Sequence, residues 1–199
     1  MTEVDQAGLR RRLRVARRAL GAAERQAAAA AVDATLAGMG LPRPRSRLTA
    51  YVAMDGEMDP AVVLRRAQAL GCEVQVPVIT SMRRRRMRFA PWPLDPRRPP
   101  AVGDAARWFD LVLVPLVGFD DEGNRLGMGA GFYDRHFGFL RHRNSWHRPL
   151  LLGLAFEIQR VDSLPAKPRD VPLWGIVTER GVYGRAAARN RGKPAETGS

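Results

Sequence analysis

Apolar positions along the chain keep two rhythms, and the switches between them outline alternating helices and strands. Residues 5–19 and 22–38 read as helices, the second rich in alanine, and the AGMGLP run from Ala37 to Pro42 ends them. Leu48 to Ala53 reads as a strand, Pro60 to Leu70 as a helix opened by proline, and Glu73 to Val78 as a further strand. Across a turn of arginines, Arg86 to Ala90 is placed to pair with Val76 to Thr80. Leu111 to Val114 is too apolar for a half-solvated sheet face, which predicts a central strand. A helix over Gly131 to Arg141, a strand over Leu150 to Ala155 and a short strand over Gly175 to Thr178 complete the pattern. The alternation predicts an α/β fold, a three-layer α/β/α sandwich with a mostly parallel central sheet. Residues 1–184 read as a single domain, and the polar, charged stretch 185–199 is expected to be a disordered basic tail.

Candidate chemistry gathers where the central strand ends. Ligands bind at the C-terminal ends of such strands. Here the strand runs into a loop with Gly127, Gly129 and Gly131, framed by Arg125 and Arg135 and followed by Asp134. Glycines let the backbone take positive φ and bring its N–H groups close to an anion, and a helix N-terminus favours the same charge. Arg125 supplies a permanent planar charge for phosphate, and Asp134 can hold a magnesium ion. The spacing G-x-G-x-G is neither the dinucleotide fingerprint nor a P-loop, since no GK[ST] follows. Asp120, Asp121 and Glu122 run into Gly123 and Asn124, the composition of a tight turn rather than of an acid pair.

Composition narrows the class. A chain of 199 residues buries a substantial core without disulfides, and its one cysteine, Cys72, reads as a small buried hydrophobe between a helix and a strand. The longest apolar runs are too short to span a membrane, and charges interrupt the N-terminal region a secretory signal needs, so a reducing, cytoplasmic location is expected. His136, His142 and His147 lack partners at zinc-site spacing, and no G-x-S-x-G elbow is present. The net charge is +13, almost all of it arginine, with only Lys167 and Lys193 as lysines. Its clusters are Arg10, Arg11, Arg12, Arg14, Arg17 and Arg18 on the first helix and Arg83 to Arg86 in the turn, and most are expected on solvated surface.

The segment DLVLVPLVGFDDEGNRLGMGAGFYDR, Asp110 to Arg135, resembles the signature of the 5-formyltetrahydrofolate cyclo-ligase (methenyltetrahydrofolate synthetase) family. The resemblance extends to YVAMDGE at Tyr51 to Glu57, VPV at Val76 to Val78, MRF at Met87 to Phe89 and DVPL at Asp170 to Leu173, covering about residues 5 to 183. It implies the same α/β fold and an ATP- and Mg2+-dependent cyclisation of 5-formyltetrahydrofolate to 5,10-methenyltetrahydrofolate, releasing ADP and phosphate. By resemblance, Arg125, Tyr133 and Asp134 are catalytic, and Asp134 and Asp170 hold the metal. Gln6, Arg10, Arg125, Leu126, Gly127, Met128, Gly129, Ala130, Gly131, Phe132 and Tyr133 contact ATP. Val52, Met54, Glu57 and Phe132 contact the folate.

The chain departs from the family pattern at several places. Gln6 stands where many members have lysine, and Ala130 where some have lysine or glycine. Arg169 replaces a common histidine and Trp174 a common aspartate. The link from 93 to 109 is about 15 residues shorter than usual for the family. The expected partners are therefore ATP and 5-formyltetrahydrofolate, acting on a monomer with no membrane. A non-catalytic, arginine-rich nucleic-acid-binding protein on the same scaffold is the alternative, marked by binding that falls steeply with salt.

Overall fold

Strands β1 (Arg47–Ala50), β2 (Glu73–Ser81), β3 (Arg86–Pro91), β4 (Leu111–Pro115), β7 (Leu150–Leu154), β8 (Gly175–Val177) and β9 (Val182–Tyr183) form one seven-stranded sheet in the computed structural model. The structure describes residues 3–95, 102–103, 106–141, 149–165 and 170–190. Strand order is β3-β2-β1-β4-β7-β8-β9, with every inner pairing parallel and both outer ones antiparallel. The Leu111–Pro115 strand is the middle one, as its unbroken apolar run predicts. Asp110, the first residue of the signature, fastens the opposite end of this strand: its carboxylate accepts from the Arg47 N–H at 2.8 Å.

Because successive side chains point to opposite sheet faces, β4 feeds two cores. Leu111 and Leu113 pack with Val32 and Leu36 of α2 (Ala22–Gly38), Val63, Leu64 and Ala67 of α3 (Ala61–Ala69), and Ala186 of α5 (Arg185–Asn190). Val112 and Val114 pack with Phe89, Phe109, Phe137 and Leu140 on the other face. All four β4 side chains are at most 2% exposed, each worth roughly 1.5–3 kcal/mol of burial. Helix α1 (Glu3–Ala19) covers neither face. Its Leu9 and Leu13 pack on Val117, Leu126 and Leu164, beside a two-stranded hairpin of β5 (Gly118–Phe119) and β6 (Arg125–Leu126).

The chain leaves β1 through α3 to pair β2 on one side, while β4 pairs β1 on the other. A crevice at the C-terminal ends of β1 and β4 is the consequence, the place where open α/β sheets bind ligands.

Four expectations are corrected. The helix expected over Gly131 to Arg141 is a five-residue α4 (Phe132–His136), followed by a 3-10 turn, Gly138–Arg141. Gly138 in the middle of that stretch disfavours helix continuation. The strand expected to reach Ala53 stops at Ala50, and the one expected to stop at Val78 runs to Ser81. The tail expected to be without structure from 185 begins with α5, because Ala186 is fully buried against the sheet. Residues 191–199 lie outside the described residues, as do His142, His147, Lys167, Arg169 and most of the short link after Asp95. The Asp120–Asn124 stretch is the tight turn its composition predicts: Asp120 accepts from the Asn124 backbone and side-chain N–H groups, both at 2.9 Å.

Candidate active site

A cavity of about 380 Å3 opens at the crevice between β1 and β4. Every residue that the sequence singles out for ATP, folate, metal or catalysis lines it. One wall is the run Arg125 to Asp134. Gly129 and Gly131 there sit at φ +94° and +67°, a region other residues enter at a cost. Gly127 does not, contrary to expectation; its carbonyl accepts from Arg10 Nε at 2.9 Å. Helix α4 is too short to carry a developed macrodipole, so the loop's own N–H groups are the remaining backbone source of positive potential.

Arg125 and Asp134 are already paired. Arg125 Nη2 donates to Asp134 Oδ1, and Nη1 donates to the Val171 carbonyl at 2.5 Å. Val171 N–H donates to the same Asp134 oxygen at 2.9 Å. The DVPL segment is therefore drawn to the glycine loop, which brings Asp170 to the cavity wall beside Asp134. Both of these Asp134 contacts fall on Oδ1. Tyr133 stacks on Phe137 at 6.1 Å and also faces the cavity; burial, then Glu57, pushes its phenol pKa up, so it stays a hydrogen-bond donor at neutral pH. Phe132 packs partly into the second core while lining the cavity.

The facing wall is the loop after β1. Tyr51 is buried and donates to the Met58 carbonyl at 2.5 Å, pinning the loop ends together. Val52 and Met54 line the cavity with apolar side chains that stay 50% and 69% exposed. Glu57 turns inward: the Met54 N–H donates to its Oε2 at 3.2 Å, and Arg17 Nη1 lies 4.0 Å from its Oε1. Burial raises the Glu57 pKa, against the lowering effects of the Met54 N–H and Arg17.

Most of the two arginine clusters lie on solvated surface, as expected, Arg18 among them at 53% exposed, and the first helix supplies the exceptions. Arg11 and Arg12 are exposed, but Arg10 holds Gly127, Arg14 donates to Asp55 Oδ2 at 2.7 Å, Arg18 pairs with Asp55 too, and Arg17 is 1% exposed. Asp55 is held below the usual carboxylate range, first by the Arg14 hydrogen bond. Arg83 to Arg86 are exposed, as expected. Cys72 lies between α3 and β2 but is only half-buried, donating to the Arg43 carbonyl at 3.2 Å. Pro77, Ile79 and Met87, to which no site role was assigned, also line the cavity from β2 and β3; the VPV and MRF motifs are the sequence signal for Pro77 and Met87, and Ile79, 50% exposed, has none. Among the described residues no cluster of three metal-ligating side chains occurs, and no helix is long and apolar enough to cross a membrane.

Residues 2–179 match the model of the 5-formyltetrahydrofolate cyclo-ligase family. The 5-formyltetrahydrofolate cyclo-ligase of Escherichia coli K12 is 30% identical over 149 residues, 67% of this chain and 78% of that protein. The one of Haemophilus influenzae is 28% identical over 151 residues, 68% and 76% of the two chains. The structure of a 5,10-methenyltetrahydrofolate synthetase from Mycoplasma pneumoniae superposes with a TM-score of 0.71 at 24% identity, covering 88% of this chain and 99% of that one; this likeness is one of fold.

Proposed function

The chain belongs to the 5-formyltetrahydrofolate cyclo-ligase family, and from that premise we propose that it converts 5-formyltetrahydrofolate to 5,10-methenyltetrahydrofolate with ATP and Mg2+. The observation that supports this reading is the convergence of two distant motifs, Tyr51 to Glu57 and Arg125 to Asp134, on one cavity at the switch point of the sheet. An N-formyl oxygen is a poor leaving group until phosphorylated. In the proposed reaction it takes the γ-phosphoryl of ATP, with ADP leaving, and N10 then attacks the activated carbon. The C–O bond breaks as the ring closes, releasing phosphate.

Such chemistry asks the protein for position and charge rather than for a nucleophile. Loop N–H groups from Gly127 to Gly131 face the phosphates in this reading. Arg125 is held in place before any ligand arrives by Asp134 and the Val171 carbonyl, and a preorganised charge stabilises developing negative charge without reorganising. Mg2+ needs one or two carboxylates together with phosphate and water oxygens, so Asp134 and Asp170 suit it in kind. Bound there, the ion would neutralise charge on the phosphate oxygens. Glu57 would accept from adjacent pterin N–H groups, with Val52, Met54 and Phe132 against the ring. The test mixes protein, 5-formyltetrahydrofolate and Mg-ATP and follows methenyltetrahydrofolate absorbance, omitting ATP as control. ATP-dependent product is expected; none from folded protein would overturn the reading.

A further inference from the structure

Arg17 of helix α1 lies in the interior, where it is 1% exposed. A guanidinium withdrawn from water is tolerated only when its donors meet acceptors. Here Nε and Nη2 both donate to the Asp55 carbonyl, at 3.2 and 3.0 Å, and Nη2 also reaches Asp55 Oδ2 at 3.1 Å. Nη1 donates to the Leu116 carbonyl at 3.3 Å. Those carbonyls belong to two separate loops. Asp55 lies in the loop that carries Val52, Met54 and Glu57, and Leu116 follows directly on Pro115 at the end of β4. Leu116 is fixed a second time, since Gln159 Nε2 donates to the same oxygen at 2.9 Å. One planar fork thus spans the switch point from behind, without itself lining the cavity.

Asp55 also sits at φ +54°, a conformation that a residue other than glycine keeps only while its surroundings enforce it. Arg14 and Arg18 reach only its carboxylate and are 36% and 53% exposed, so they screen the turn without gripping its backbone. We propose that Arg17 is a positioning residue for the folate pocket: by holding the Asp55 and Leu116 carbonyls it sets where Glu57 stands, without touching substrate. This rests on the reading of Glu57 as the folate-binding carboxylate. Lysine cannot replace it, because a single ammonium lacks the fork that reaches both loops.

The test compares wild type with Arg17→Lys, measuring KM for each substrate, kcat and thermal unfolding. ATP reports on the glycine-loop wall, which Arg17 does not hold. The expected result is a folded variant whose KM for 5-formyltetrahydrofolate rises about tenfold, while KM for ATP and kcat stay within about threefold, the pattern of lost uniform binding. An unchanged folate KM, or two KM values rising together, overturns the proposal. If Arg17→Lys does not fold, Arg17→Gln, which buries no charge and whose single amide cannot reach both carbonyls, takes its place; a folate-selective rise is again expected, and no rise overturns the proposal. Absence of turnover in wild type withdraws the functional reading and this proposal with it; turnover without the split withdraws this proposal alone.

Discussion

The two walls of the cavity are made in opposite ways. From Arg125 to Asp134 one unbroken run supplies the glycine backbone, the cation and the carboxylate, and its Arg125–Asp134 pair spans only nine positions. The wall from Val52 to Glu57 is shaped by its neighbours: Arg17, 38 positions earlier, grips the turn at Asp55, and Arg14 and Arg18 close over it. A wall built from local backbone leaves a dense signature in sequence. A wall held by a distant helix leaves a sparse one, and its apolar members are exposed side chains that look ordinary until the fold places them.

The comparison predicts a hierarchy of effects. In the proposed reaction Arg125→Ala would remove charge at the phosphoryl group, and it should lower kcat by on the order of 10²–10³ while the fold persists, measured by methenyltetrahydrofolate absorbance and circular dichroism. Equal turnover in the variant would break the assignment of this wall to phosphoryl transfer. Glu57→Gln tests the other wall. Loss of a charged acceptor should raise the folate KM by about one order of magnitude, leaving the ATP KM within about twofold.

The Glu57 carboxyl gives a pH test of its own wall. Arg14 and Arg17 from α1, Asp55 in its own loop, Tyr51 at the end of β1 and Tyr133 on α4 face it, and burial raises its pKa. If the ionised form accepts from the pterin, kcat/KM falls as the pH drops through this raised value, beginning above the range of an ordinary glutamate near ~4.3. Glu57→Gln should abolish that limb in a pH profile. The stability sign is opposite: a raised folded-state pKa contributes stability below the unfolded value and loses it as the pH rises through the folded one. Glu57→Gln should therefore raise the neutral-pH melting temperature slightly, checked by calorimetry.

Gly129→Ala places a Cβ at φ +94°, where open space surrounds it but the backbone is strained, at about 1–2 kcal/mol. The expected readout is a several-fold higher KM for ATP and no change for folate. Smallest of all is Arg14→Ala. Its pair with Asp55 is partly exposed and worth at most ~1 kcal/mol, so unfolding and both KM values should barely move. A large effect there would shift the grip on the turn from the buried guanidinium to the surface charges.

Hydrophobic rhythm was enough for the order and kind of the main elements. It places Leu111–Val114 in the sheet centre and sets Val76 to Thr80 against Arg86 to Ala90 across the arginine turn, as the register shows up to a shift between Ile79 and Ser81. The brief pairings at Gly118–Phe119 with Arg125–Leu126 and at Val182–Tyr183 escaped it, because two-residue strands have no period to read. The helix after the glycine loop was overextended for a related reason: Phe137, Phe139 and Leu140 continue an apolar pattern that a 3-10 turn also satisfies.

Residue type and spacing by themselves determined the α/β architecture, the central strand and the glycine-loop wall, since periodicity, turn chemistry and backbone freedom act over a few residues. Only the tertiary structure decided that Arg17 is interior, that Arg125 is already bound to Asp134 and the Val171 carbonyl, and that β2 and β3 lend Ile79 and Met87 to the cavity. An arginine on a helix carries the same charge whether it faces water or two carbonyls. Which of these it meets is fixed by how the sheet and α1 pack, and packing is a property of the whole chain.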